Sequence, residues 1–101
     1  MKVIVVGATG TIGQPVVKAL TGRHEVVKVG FKDGDVQVDL ASPGSIENLF
    51  KTIKEFDAVV CTAGLAKFGS LLDMTNSEYM LGLTNKLMGQ VNLVRIGLKY
   101  I

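Results

Sequence analysis

Gly7, Gly10 and Gly13 follow the β-branched run Val3-Ile4-Val5-Val6 at a spacing of three. Bare main chain at such a turn leaves N–H groups open to an anion, because no Cβ fills the space and a positive φ carries no penalty. A helix starting at Thr11 points its unpaired N–H groups and its dipole at the same place. The chemistry this permits is capture of a diphosphate, with the hydroxyls of Thr9 and Thr11 as further donors. The pattern is G-x-x-G-x-x-G, not the G-x-G-x-x-G of the standard dinucleotide fingerprint, and an ordinary strand-to-helix turn is its plain alternative. No Gly-Lys-Ser/Thr follows, which disfavours a nucleoside-triphosphate loop,.

Such a turn needs a strand before it and a helix after it. Val3–Val6 reads as a central parallel strand buried on both faces. From Thr11 to about Thr21, Ile12, Val16, Val17 and Leu20 recur at helical spacing, Pro15 falls near the first turn, and Gly22 marks the stop,. A second strand is expected over Glu25–Gly30 and a third over Val36–Leu40, with a polar turn between them. Ser42, Pro43 and Ser45 announce a helix carrying Ile46, Leu49, Phe50 and Ile53,. Ala58–Cys61 gives a fourth strand, followed by an irregular stretch to about Met74. Thr75–Ser77 caps a long helix running to Ile101, with Leu83, Leu87, Val91, Val94 and Leu98 along one side and bends near Gly82 and Gly89. Met74, Met80 and Met88 are expected to fill packing gaps near that helix.

Strands alternating with helices imply an α/β chain with a parallel sheet and right-handed crossovers. The expected architecture is a three-layer sandwich, a Rossmann-like doubly wound sheet of about four strands in the order 3-2-1-4. Residues 1–101 form one domain. A ligand would sit outside the carboxyl ends of the strands, beside the first.

The 101 residues are 48% hydrophobic and 20% charged, which excludes disorder,. The net charge of +2 is scattered, with no basic block interleaved with aromatics, so no nucleic-acid role is expected,. Cys61 is the only cysteine, which rules out an intrachain disulfide or a cysteine-based zinc site and suits a reducing cytoplasm,. Its expected role is core filling. His24, the one histidine, is expected at the surface. No segment is long enough to span a membrane.

Three landmarks in order resemble the short-chain dehydrogenase/reductase family, over essentially the whole chain. Gly7-Ala8-Thr9-Gly10-Thr11-Ile12-Gly13 is similar to the cofactor loop of that family's extended and atypical branches. Asp39-Leu40 resembles the Asp-Val or Asp-Leu pair beside the adenine ring. Cys61-Thr62-Ala63-Gly64 stands where the family has Asn-Asn-Ala-Gly, keeping Ala63 and Gly64 and losing both asparagines. The resemblance implies an NAD(P)-dependent oxidoreductase acting on a small carbonyl or alcohol. It also implies dimer contacts through the long helix. An exposed edge on the fourth strand and an apolar helix side point to a homo-oligomer as well.

Two departures matter. At the position of the family's active-site asparagine, aligned on Gly89, the chain has Lys86. Asn85 is adjacent, but neighbours on a helix point about 100° apart. Lys86 would approach the nicotinamide ribose or a substrate oxygen, or is simply a solvated lysine; both readings stand. The family's catalytic Tyr-x-x-x-Lys is also missing from these residues, since Tyr79 is followed four places on by Leu83 and Tyr100 by Ile101 alone. The expectation is a cofactor-binding N-terminal portion of a reductase. The alternative is a non-catalytic NAD(P)-binding module or redox sensor, and a Tyr-x-x-x-Lys further along the gene would decide for the enzyme. A folding or design fragment that binds no cofactor is a third reading.

Cofactor choice rests on Val29-Gly30-Phe31-Lys32-Asp33. An acid at the end of the second strand suits a ribose 2′-hydroxyl, a cation a 2′-phosphate. With Lys32 before Asp33, NADP is favoured over NAD, Lys32 being the phosphate partner; a polar turn pair is the plain alternative.

Overall fold

The computed structural model describes residues 1–101. Four strands form one parallel sheet: β1 (Lys2–Val6), β2 (Glu25–Gly30), β3 (Val36–Gln37) and β4 (Ala58–Cys61). Their spatial order is β3-β2-β1-β4, as the sequence pattern implies. Val6 stands opposite Val29 of β2 and Cys61 of β4, so β1 is the central strand.

The alternation along β1 explains the layers. Val3 and Val5 face one side, where Val16, Val17 and Leu20 of α1 (Gly13–Thr21) pack on them. Ile4 and Val6 face the other, against Ile46, Leu49 and Phe50 of α2 (Pro43–Ile53). Since each face of a strand is reached by every second residue, a run without polar breaks must be covered on both sides. The result is the expected three-layer α/β sandwich.

The long helix is segmented. Asn76–Gly82 forms α3, Leu83–Met88 a π-helical segment, and Gly89–Gly97 forms α4. The irregularity falls between the two glycines where bends were expected, and π turns of this kind interrupt helices locally. Leu93 and Ile96 join the second core, where Tyr100 stacks on Phe50 with ring centroids 5.7 Å apart and donates its hydroxyl proton to Glu47. The opposite stripe, Leu83, Leu87, Val91, Val94 and Leu98, is exposed.

Three expectations need correction. The third strand does not run to Leu40: β2 ends at Gly30, Val38 N–H makes the last bond across to Gly30 O at 2.9 Å, and Asp39 N–H turns instead to Ser45 Oγ at 2.8 Å. The first helix starts at Gly13, with Thr11 and Ile12 left in the turn. Met80 and Met88 are exposed and fill no gap.

Candidate functional site

Because β2 and β3 lie on one side of β1 and β4 on the other, the sheet has a switch point at the carboxyl ends of β1 and β4, where clefts form in folds of this kind,. A cleft of about 260 Å³ opens there. The glycine-rich turn supplies Gly7, Thr9 and Gly10, the end of β2 supplies Gly30 and Phe31, the segment after β3 supplies Asp39 and Leu40, and β4 leads in Ala63 and Gly64.

The three glycines of the turn are bare for different reasons. Gly7 has φ +88°, and a Cβ on it would stand 2.8 Å from Ala63 N and Thr62 Oγ1. A Cβ on Gly13 would lie 1.8 Å from Gly7 O, so the turn closes onto the start of α1 only without one. Gly10 is different: the nearest atom to its would-be Cβ is Gly7 O at 3.4 Å, and the open side gives onto the cleft. Packing needs the first two, and only the third is bare toward solvent.

Main-chain bonding sharpens this. Gly7 and Ala8 donate to Val29 O at 2.8 and 3.2 Å, tying the turn to β2, and Gly10 donates to Gly7 O. Thr11 and Ile12 donate to no acceptor of the protein, and α1 has neither a side-chain cap nor an acidic residue in its first turn. Unpaired donors at a helix start are a seat for an anion. A dinucleotide's diphosphate fits the donors present here.

Of the residues singled out from sequence, Gly7, Thr9, Gly10, Asp39, Leu40, Ala63 and Gly64 meet in the cleft. Thr11, Ile12 and Gly13 stand at the helix start just outside its lining, and Lys32 is exposed on the turn after β2. Asp39 is partly committed, its Oδ1 accepting from Ala41 N–H at 3.0 Å. Gly64, at φ +139°, lies over the Lys86 stem, where a Cβ would come within 2.7 Å of Lys86 Cγ.

Lys86 does not line the cleft; its neighbour Asn85 does, buried, with Nδ2 donating to Leu81 O at 3.2 Å. Asn85 sits within the π-helical segment, and alignment on Gly89 points to Lys86 instead. Burial pushes the Cys61 thiol up from its ordinary pKa, against the opposing effects of a main-chain hydrogen bond at Ala63 and of the Lys86 charge. It stays protonated near neutrality and packs against the core,.

A family model described as the NAD dependent epimerase/dehydratase family matches residues 3–100. No curated protein matches the sequence. Among solved structures, the protein lin1944 from Listeria innocua shares the fold with a TM-score of 0.96 and 35% identity, over 99% of this chain and 50% of that one. A small-chain dehydrogenase in complex with NADPH gives 0.87 and 26%, over 100% and 46%. Ligand-free aldohexose dehydrogenase from Thermoplasma acidophilum gives 0.82 at 20% identity, over 98% and 43%, a likeness of fold. The chain spans about half the length of these proteins.

Proposed function

The chain belongs to the NAD-dependent epimerase/dehydratase family, and on that premise we propose that it binds NADP, with NAD as the other candidate, as the cofactor-binding portion of a short-chain-type oxidoreductase. The observation that carries this is the open side of Gly10 beside the free N–H groups of Thr11 and Ile12, at the mouth of the cleft. A solved neighbour of the same fold is in complex with NADPH.

In this reading the main chain of the glycine-rich turn holds the diphosphate, and the α1 dipole favours its charge. Asp39 and Leu40 edge the adenine side. Ala63 and Gly64 present main chain alone to the inner part of the cofactor, and Lys32 takes a 2′-phosphate from the exposed turn. When bound, the nicotinamide supplies hydride transfer with a small carbonyl or alcohol. Asn85, buried at the cleft wall, offers a polar group that Lys86 does not. Titration of the protein with NADPH and with NADH, followed by cofactor fluorescence or heat, should give saturable binding; none with either would overturn the proposal.

The second reading, a binding module or redox sensor without turnover, draws on Cys61 and Thr62 standing where the family resemblance has asparagines. Thr62 is committed to structure, its hydroxyl within 3.3 Å of the carbonyls of Val6 and Gly7.

We also propose a cytoplasmic homo-oligomer, associating through the exposed stripe from Leu83 to Leu98,. Light scattering should report a mass above that of one chain, and a stable monomer at high concentration would count against it. No helix is long and apolar enough to cross a membrane.

A further inference from the structure

Four polar side chains line the cleft: Thr9, Asp39, Thr62 and Asn85. Thr9 donates its hydroxyl proton to Asp33 Oδ1 at 2.9 Å, Thr62 bonds the carbonyls of Val6 and Gly7, and one Asp39 oxygen takes Ala41 N–H. Asn85 alone of the four is buried, at 8% exposure. Its Nδ2 donates to Leu81 O at 3.2 Å, and nothing in the chain donates to its Oδ1. Since no fully enclosed side-chain polar atom lacks a partner, that oxygen faces the open space of the cleft. A carbonyl oxygen set so deep calls for a donor from outside.

Leu81 O also fixes which way the amide points. A carbonyl only accepts, so the nitrogen stays on the helix side and the oxygen on the cleft side. An amide free to turn over would meet a donor or an acceptor equally well; this one meets a donor. Gly89 sets where the oxygen falls. A Cβ there would stand 2.9 Å from Leu40 Cβ and 3.2 Å from Leu40 O, so the helix rests directly on Leu40, and Asn85 lies about one turn earlier. Adenine carries an N6 amine beside the N7 acceptor, a pair that an asparagine amide matches with its oxygen and its remaining N–H. Hypoxanthine has a carbonyl oxygen in place of the amine.

We propose that Asn85, pinned by Leu81 O, selects the base of the dinucleotide, its Oδ1 accepting from the adenine amine and disfavouring a base that presents a carbonyl there. The proposal rests on the dinucleotide reading above, in which Asp39 and Leu40 edge the adenine side. It adds a reader on the helix, outside the three motifs that carry the family resemblance.

The base can be changed without touching the protein. Wild type should bind NADPH or NADH about tenfold tighter than the same nucleotide with hypoxanthine in place of adenine, the scale of one buried hydrogen bond lost to two facing acceptors. Asn85→Leu, close in volume and without polar atoms, should bring the two affinities to within about twofold by weakening the adenine form. Should that variant not fold, Asn85→Ser, whose hydroxyl can still donate to Leu81 O, carries the same expectation. A merely structural role would instead weaken both nucleotides equally. If wild type binds the two alike, if the variant weakens them equally, or if the preference survives in the variant and disappears in Asp39→Ala, the inference fails and the dinucleotide reading stands. If wild type binds neither nucleotide, both fall together.

Discussion

Helices α1 and α2 both lie against the sheet, yet their amino ends are built in opposite ways. At α2, Ser42 Oγ accepts from Ser45 N–H at 3.2 Å, and Pro43 opens the helix without a donor to satisfy. The Ser45 hydroxyl in turn receives Asp39 N–H. The cap of this helix thus comes from within the chain. At α1, Ile12 occupies the cap position, no side chain caps it, and the N–H groups of Thr11 and Ile12 are unspent. Leaving such donors unmet costs stability, about 1 kcal/mol for a missing cap. In the proposed function, these unspent donors at α1 are the ones a cofactor's diphosphate would take.

Gly10→Asp should separate the two ends most strongly. Gly10 has no positive φ and no atom closer than 3.4 Å to its would-be Cβ, so the variant should fold with nearly wild-type stability. Its carboxylate would occupy the anion seat, and affinity for either cofactor should fall by about a hundredfold or more in a calorimetric titration. Retained affinity would break the comparison, since the open end of α1 would then hold nothing.

Ser42→Ala is the converse. Loss of the α2 cap should cost about 1 kcal/mol in urea unfolding, with cofactor affinity unchanged because no ligand depends on that end. A smaller effect belongs to Lys32→Ala, expected to weaken NADPH about threefold, the scale of an exposed ion pair, and NADH not at all. Equal effects on both would remove Lys32 from the phosphate site.

The architecture was legible because apolar alternation and glycine placement are local signals. The unbroken run in β1 required cover on both faces, and Ser42-Pro43 announced α2. What was not legible depended on contacts distant in sequence. Val36–Leu40 has strand composition throughout, but β2 supplies no partner beyond Gly30, and Ser45 draws Asp39 N–H away. Alignment on Gly89 points to Lys86, whereas the fold brings Asn85 to the cleft, within a π-helical segment that no residue type announces. The Thr9–Asp33 bond joins residues 24 apart, which only the pairing of β1 with β2 brings together.

The start of α3 offers the finest form of the comparison, because its cap depends on a charge. Thr75 Oγ1 accepts from Glu78 N–H at 3.3 Å, and Glu78 Oε1 accepts from Thr75 N–H at 3.1 Å, a reciprocal box,. The Thr75 main-chain N–H, and then its hydroxyl, hold the Glu78 carboxyl below its ordinary pKa. A carboxylate depressed in the folded state contributes stability above its unfolded pKa of about 4.3, and loses it as pH falls through the lower folded value. Helicity of wild type and Glu78→Gln should therefore differ slightly at neutral pH and converge as pH falls through that lowered folded value. The glutamine keeps an oxygen acceptor without the charge, so its own profile should lack that component. A difference that persists undiminished in acid would mean the carboxylate's charge adds nothing to the cap, and that geometry alone sets how this helix begins.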